Sequence, residues 1–287
     1  DRPEFRVPAE NSLWGGRSLF DLYGEAMTPW EWHPELFDHA RSAGITPFSS
    51  PFDSSAVELL ESLNCAIYKI ASFEIVDIDL IRLCASTGKP LIISTGMATL
   101  DEISRAVDSA RNAGCNDLTL LKTTSAYPAS PANSNLRTMA ALASTFECKV
   151  GISDHTLGIG AAVAAVTLGA SVVEKHVTLD RAAGGVDSVF SMDPNEFGQL
   201  VRESQIARQA VGVVFFGPNE EDQLSLGFRR SIYLTHDVEM GERLSRTNSK
   251  ALRPGFGLPI HLFPLFEGMK FNAPYRVGDP VSPKMFS

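Results

Sequence analysis

The feature of the sequence that most constrains the fold is an alternation of short apolar runs with helical segments between residues 45 and 212. Six apolar runs are recognisable, and they read ITPFSS, AIYKIAS, PLIISTGM, DLTLLKTTS, KVGISDH and SVVEKHVTL. Each run is almost continuously apolar, which is typical of strands covered on both faces. Gly88 and Gly114 directly follow predicted helices, where glycine commonly ends them. The alternation therefore predicts consecutive βα units around a parallel sheet.

Polar residues gather where these strands end. They are Ser49, Lys69, Ser72, Ser94, Lys122, Ser153, His155 and His176. In a (β/α)8 barrel all strand ends face one shared site, whereas a doubly wound sheet uses only the few strands at its switch point. Polar groups at all six ends favour the TIM (β/α)8 barrel.

The strand count falls short of eight, so we expect a barrel that lacks its first one or two βα units in this chain. The segment 18–44 is predicted to be helical and to serve a preceding strand. The sequence also begins without methionine, which fits the expectation that an N-terminal part is absent.

The domain organisation changes near residue 212, where the βα rhythm stops. We predict a barrel over 1–212, a linker over 213–226 and a small β-rich domain over 227–287, which contains short strands and Gly/Pro turns. A domain of this size has a small core, so we expect it to gain stability by packing against another surface.

Composition limits the function classes. The 287 residues carry a formal net charge of −9, which argues against a general nucleic-acid or membrane-surface role. The four cysteines are far apart in sequence, which predicts reduced thiols in a cytoplasmic protein. No apolar run reaches the length of a membrane span and no signal peptide is visible.

Two strands end in a histidine with nearly the same pattern, KVGISDH and SVVEKH. If the strands are neighbours, His155 and His176 project over the same end of the barrel. Two imidazoles with open positions for water and substrate suit a divalent ion such as Mn2+ or Mg2+. The alternative is two unrelated polar strand ends. Asp187, on the following loop, could orient a ligand or bind a sugar hydroxyl, or could be an ordinary loop residue.

A phosphate site is the second candidate. Lys69 and Lys122 end apolar strands, where a buried ammonium requires an anionic partner. Ser94 and Gly96 in ISTGM, with Ser153 in GISDH, offer hydroxyl and backbone N–H groups near helix starts. Serine and glycine are also common in simple strand-end turns, which is the alternative reading.

Three further residues could line the same site. Ser72 and Glu74 follow one strand, and Glu74 could act as a base or receive substrate hydroxyls, or could simply favour a helix N-terminus. Tyr127 could line the pocket or begin a proline turn.

Six stretches together resemble the sialic acid synthase family, which condenses phosphoenolpyruvate with an N-acyl amino sugar. They are SSPFD (49–53), YKIASFE (68–74), ISTGM (93–97), TSAYPA (124–129), GISDHT (151–156) and EKHVTL (174–179). The C-terminal FRRSIY, GERLS and ALRPGFG are similar to the antifreeze-like (SAF) domain of that family. LFDLYGEAMTPWEWHPELF and DSVFSMDPNEF look most like the pseudaminic acid synthase branch, with the neuraminic and legionaminic branches as alternatives.

The resemblance implies roles for individual residues. His155 and His176 fall on metal-ligand positions, and Lys69, Ser94 and Ser153 fall on phosphoenolpyruvate positions, with Lys122 nearby. Residues that would line the site or meet the sugar are Glu74, Tyr127 and Asp187. Arg253 matches an arginine that reaches the sugar in the partner's site of a domain-exchanged homodimer, and Phe228 is a candidate apolar companion.

The sequence departs from the family pattern at its start. Family members begin with a strand that carries a glutamate proposed as general base and a second strand with another phosphoenolpyruvate-binding lysine, and neither is in these 287 residues. Two rival functions therefore stay open. One is a metal-dependent aldolase-type barrel, and the other is an inactive sugar-binding fragment.

Overall fold

The computed structural model describes residues 2–11 and 13–287. The chain divides into two compact units, the first ending at Gly212 and the second spanning Val213–Ser287. We describe each unit separately.

The first unit alternates helices with strands from residue 54 onward. Its strands are β1 (Tyr68–Ile70), β2 (Leu91–Ser94), β3 (Leu118–Thr123), β4 (Lys149–Ser153) and β5 (Val172–Glu174). Its helices are α1 (Leu19–Ala26), α2 (His33–Ser42), α3 (Ser54–Ser62), α4 (Ile78–Ser86), α5 (Leu100–Asn112), α6 (Thr138–Phe146), α7 (Gly160–Thr167) and α8 (Pro194–Val211).

The five strands form one sheet in the order β1-β2-β3-β4-β5, and every neighbouring pair is parallel. This confirms the parallel α/β fold. The first predicted strand, ITPFSS, is wrong as a full strand, because it contributes only a bridge between Ser49 and Tyr68. Pro47 and Pro51 flank that bridge and have no N–H to donate to a ladder.

The sheet is curled into a half-barrel, as an atom-to-atom distance between its end strands shows. Lys69 lies on β1 and Glu174 on β5, and their charged atoms are 3.5 Å apart. In a flat sheet, four strand spacings of about 4.8 Å would separate these backbones by roughly 19 Å. The curvature turns one face of all five strands toward a common interior.

The helices cover the other face of the sheet. Outward strand side chains such as Tyr68, Ile70 and Leu120 are buried against them in one continuous core. Capping boxes start two of the helices, Thr99 with Glu102 at α5 and Asp193 with Glu196 at α8. Within the described residues, no helix combines the length and apolar character needed to cross a membrane.

The second unit is a small antiparallel structure with its own core. Strands β6 (Ser231–Leu234), β7 (Ser249–Leu252) and β8 (Leu258–Pro259) form a sheet in the order β7-β6-β8, and two one-turn helices, α9 (Gln223–Leu226) and α10 (Phe263–Phe266), accompany it. Its core is built by Ile232, Leu234, Val238, Leu244, Leu258, Phe263, Phe271, Val281 and Met285.

Candidate active site

Two neighbouring strands deliver two pairs of polar residues to the inner face of the sheet. Ser153 ends β4 and pairs in register with Glu174, which ends β5. Side chains alternate between the two faces along an extended backbone. His155 and His176, which lie two positions after Ser153 and Glu174, therefore point to the same inner face. The Ser153 hydroxyl donates to the Glu174 carboxylate over 2.6 Å, which fixes the two strand ends side by side.

The residues between these pairs point the other way and form a buried ion pair. Lys175 Nζ lies 3.1 Å from Asp154 Oδ2, and both side chains are almost fully buried, at 2% and 1% exposure. The same ammonium donates to the carbonyl oxygens of Thr156 and Gly158. The pair therefore ties the segment after β4 to the end of β5, directly beside both histidines.

The two imidazoles lie close together with defined hydrogen-bonding roles. Their ring centroids are 5.2 Å apart. His155 Nδ1 lies 2.9 Å from the Thr124 carbonyl oxygen, and His176 Nδ1 lies 3.2 Å from Asp187 Oδ2. Both partners are acceptors, so each Nδ1 carries the hydrogen and each neutral ring has its lone pair on Nε2.

This donor set fits a divalent metal ion. Burial lowers the pKa of His155, and the proximity of His176 lowers it further although the Thr124 carbonyl opposes the shift. A neutral imidazole whose other nitrogen donates to a carbonyl or carboxylate is the usual form of a metal-bound histidine. Within residues 2–11 and 13–287, no group of three or more His, Cys, Asp or Glu side chains is placed to hold a metal. Water and substrate would therefore supply the remaining positions.

A buried cation lies beside this pair. Lys69 is 5% exposed, and its ammonium faces Glu174 across the interior at 3.5 Å. Burial lowers the pKa of Lys69, while the carboxylates of Glu174 and Glu74 oppose that shift. Burial also raises the pKa of Glu74, against the influence of Lys69. Glu74 is thus a carboxyl that keeps its proton to higher pH than an ordinary glutamate does.

Buried hydroxyls form a cradle around Gly96. A Cβ placed on Gly96 would lie 2.6 Å from the hydroxyl oxygens of both Ser72 and Ser125. Among the described residues, the buried Ser94 Oγ, Ser125 Oγ and Glu74 Oε2 have no hydrogen-bond partner. Buried polar atoms are nearly always paired in folded proteins, so a group of unpaired ones indicates where a polar ligand binds.

Lys122 lies near the end of β3. It pairs in register with Ile152, whose side chain is in the core beneath the helices. The same alternation that turns Ser153 inward turns Lys122 outward. Its ammonium donates to the Thr123 carbonyl oxygen over 2.6 Å, and burial lowers its pKa. The place of Lys122 in the phosphate site stays a prediction.

Aromatic rings form the wall on the side of the histidines. Tyr127 lies 4.2 Å from His155 between ring centroids, and Phe190 lies 5.0 Å from His176. Trp14 lies against both, at 5.9 Å from Tyr127 and 6.3 Å from Phe190. The interior thus has a charged, hydroxyl-rich part, and an aromatic part that packs on the imidazoles.

The sequence analysis did not identify several residues of the candidate active site. Glu174, Asp154 and Lys175 lie within the quoted motifs EKH and SDH, and the alternation of side chains could have assigned them to faces. Ser125 lies in TSAYPA and was not singled out. No local sequence pattern indicates a role for Trp14, because its indole reaches the site through a hydrogen bond to Val186, which is 172 positions away in the chain.

The two candidate residues of the second unit are both exposed. Arg253 follows β7 and Phe228 precedes β6, and the Phe228 side chain is 68% exposed.

The sequence of residues 2–215 matches the NeuB family. The chain belongs to the NeuB family. The resemblance inferred from the six motifs is thereby confirmed, because the match covers nearly the whole first unit.

Three NeuB-type proteins illustrate the relationship. The chain is 42% identical over 280 residues to the pseudaminic acid synthase of Helicobacter pylori, covering 95% of this chain and 81% of the relative. It is 40% identical over 231 residues to the N,N'-diacetyllegionaminic acid synthase of Legionella pneumophila, covering 79% and 65%. A crystal structure of the sialic acid synthetase of Leptospira borgpetersenii, in complex with citrate, superimposes with a TM-score of 0.67 at 32% identity over 72% of each chain.

Proposed function

We propose that this protein is a pseudaminic acid synthase. It condenses phosphoenolpyruvate with a 2,4-diacetamido-2,4,6-trideoxy hexose and releases phosphate. The observation that carries this proposal is the two-part interior, which combines the buried Lys69 and the serine cradle with aromatic rings that pack on the histidine pair. The similarity to pseudaminic acid synthases over 95% of the chain favours this sugar over those of the related branches.

The charged part of the interior suits phosphoenolpyruvate. Lys69 supplies a buried positive charge, Ser72 and Ser125 bring their hydroxyls close to Gly96, and the buried Ser94 hydroxyl is a further unpaired donor. Ser153 orients Glu174, which in turn keeps Lys69 charged. Preorganised donors of this kind stabilise negative charge on phosphate and carboxylate groups.

The histidine pair suits a divalent ion, for which we propose Mn2+ or Mg2+. Synthases of this family are metal-dependent in general. Such an ion, when bound, polarises the aldehyde of the open-chain sugar. His155 and His176 would hold it through Nε2, while Thr124 and Asp187 fix the ring orientations.

The reaction joins C3 of phosphoenolpyruvate to the aldehyde carbon, and the aldehyde oxygen takes up a proton. Water adds at C2 of the former enol and phosphate leaves from the same carbon, so one water is consumed for each phosphate released. We assign the proton exchange at this centre to Glu74, and its raised pKa and its electrostatic interaction with Lys69 support this role.

The test is product formation. Incubation of the protein with phosphoenolpyruvate, Mn2+ and the trideoxy sugar should release phosphate and give a nine-carbon acid with the mass of pseudaminic acid. Parallel reactions use N-acetylmannosamine and the legionaminic precursor, and faster turnover of either would reassign the branch. Cleavage of a phosphosugar in the absence of phosphoenolpyruvate would favour an aldolase-type or lyase function. Sugar binding without any turnover would favour an inactive binding fragment.

We further propose that the half-barrel is part of a TIM-like (β/α)8 barrel and that residues 227–287 are an antifreeze-like SAF domain after a linker at 213–226. The small core of that domain favours a domain-exchanged homodimer in which Arg253 meets the partner's sugar. Arg253→Ala should then raise the Michaelis constant for the sugar while metal affinity stays constant. An unchanged constant, or a monomer in sedimentation, would contradict this arrangement.

A further inference from the structure

Trp14 is held by a hydrogen-bonded turn rather than by chance packing. A backbone bridge joins Arg6 to Ser18 at the base of the turn. At its tip, Asn11 Oδ1 accepts hydrogen bonds from the backbone N–H groups of Leu13 and Trp14, at 3.0 and 2.9 Å. These contacts give the Trp14 backbone a defined position, which is what a recognition residue requires.

The side chain of Trp14 is also fixed at its far end. Its indole Nε1–H donates to the Val186 carbonyl oxygen over 3.1 Å, and Val186 directly precedes Asp187, the partner of His176. The ring faces Tyr127 and Phe190, which themselves contact the two imidazoles. A residue near the start of the chain is therefore built into the wall of the candidate site.

We infer that Trp14 is a specificity-determining residue, and that the half-buried rings of Trp14 and Tyr127, backed by the buried Phe190, receive the apolar substituents of the sugar. This inference rests on the proposed function. The charged part of the interior already provides for the phosphate and carboxylate groups of phosphoenolpyruvate. The aromatic part offers ring faces, which suit methyl groups and the apolar faces of sugars.

The expected sugar specificity has a physical basis, which is that a methyl group and a hydroxyl group differ in the free energy of transfer from water to a site lined by aromatic rings. A methyl group buried against the rings gains free energy by leaving water. A hydroxyl in the same place loses hydrogen bonds to water that rings cannot replace. A pocket of this kind discriminates by about 10- to 100-fold at most. The wall would thus prefer a sugar with a methyl at C6 over the same sugar with a 6-hydroxyl.

The experiment compares two sugars that differ by one oxygen, 2,4-diacetamido-2,4,6-trideoxy hexose and its 6-hydroxy analogue. Wild-type protein should show a higher kcat/KM for the trideoxy sugar. Trp14→Ala should lower that value about tenfold, while the value for the 6-hydroxy sugar changes less than about twofold. The Michaelis constant for phosphoenolpyruvate should stay the same. The matched control is Trp32→Ala, because Trp32 is exposed and has no ring contact with the site among the described residues.

Trp14→Phe separates recognition from support of the Asp187 loop. It keeps an aromatic face but removes the donor to Val186. Retained sugar preference in Trp14→Phe supports the inference. Equal losses on both sugars, in either variant, overturn it and assign Trp14 a structural role.

If wild-type protein turns over neither sugar, the proposed function fails and equilibrium binding decides the inference separately. Saturation-transfer NMR should then show contact at the methyl signals of the trideoxy sugar in wild type and weaker contact in Trp14→Ala. Absence of methyl contact in wild type, or identical signals in the two proteins, would overturn it.

Discussion

The ammonium of Lys69 lies 3.5 Å from the carboxylate of Glu174, although the two residues are on the first and last strands of the sheet. Glu174 also accepts a hydrogen bond from Ser153. One carboxylate therefore partly balances a buried charge and links it to the strand that leads to His155. Because Lys69 remains at the inner face with hydroxyls nearby, it is the group we expect to meet the anionic substrate.

The first prediction concerns the pH dependence of Lys69. Burial lowers its pKa below the ordinary lysine value, and Glu174 and Glu74 oppose this shift. Glu174→Gln removes one opposing charge, so the pKa of Lys69 should fall further and the proton should leave at lower pH. The alkaline limb of kcat/KM for phosphoenolpyruvate should accordingly move to lower pH than in wild type. Steady-state rates between pH 6 and about 10.5, the ordinary lysine pKa, measure the shift.

The control for this experiment is Glu58→Gln, which changes an exposed carboxylate on α3. Its alkaline limb should coincide with that of wild type. A limb that does not move in Glu174→Gln would mean that the titration of Lys69 does not govern substrate binding.

The second prediction concerns metal removal. Chelation should abolish phosphate release, and added Mn2+ or Mg2+ should restore it. His155→Ala should weaken binding in calorimetric titration by at least about tenfold, since it removes one of two protein donors. His39→Ala, on an exposed face of α2, should bind as wild type does. Undiminished metal affinity in His155→Ala would show that the ion binds elsewhere.

The third prediction concerns the space at Gly96. A methyl group there would come within 2.6 Å of the Ser72 and Ser125 hydroxyl oxygens, so Gly96→Ala should crowd the cradle. We expect the Michaelis constant for phosphoenolpyruvate to rise about tenfold, because overpacking typically costs about 1–3 kcal/mol. Gly24→Ala is the matched control, because a Cβ at Gly24 meets no atom within 4 Å. Equal Michaelis constants in the two variants would place the substrate away from Gly96.

The fourth prediction compares a buried ion pair with an exposed one. Lys175→Met leaves the charge of Asp154 buried without its partner, and should lower the free energy of unfolding by about 3–5 kcal/mol. Lys149→Met breaks an exposed pair with Asp117 and should cost less than about 1 kcal/mol. Urea denaturation measures both. Similar losses in the two variants would contradict a special role of the Asp154–Lys175 pair.

Much of the fold follows from the sequence alone. The apolar runs specify strands through local forces, and the five strands lie within the predicted runs. Capping residues such as Thr99 and Asp193 start helices through equally local hydrogen bonds. The exception is ITPFSS, where proline prevents a regular ladder. The positions of His155 and His176 at strand ends could also be predicted from the sequence, because the end of a strand is a local feature.

What the sequence by itself determined is the order of βα units, their parallel pairing and the family to which they belong. Only the tertiary structure decided which side chains meet: that Lys69 reaches Glu174 and that Trp14 joins the aromatic wall. The physical reason is that sheet curvature, strand register and long-range contacts set these distances. No local pattern of residues carries that information.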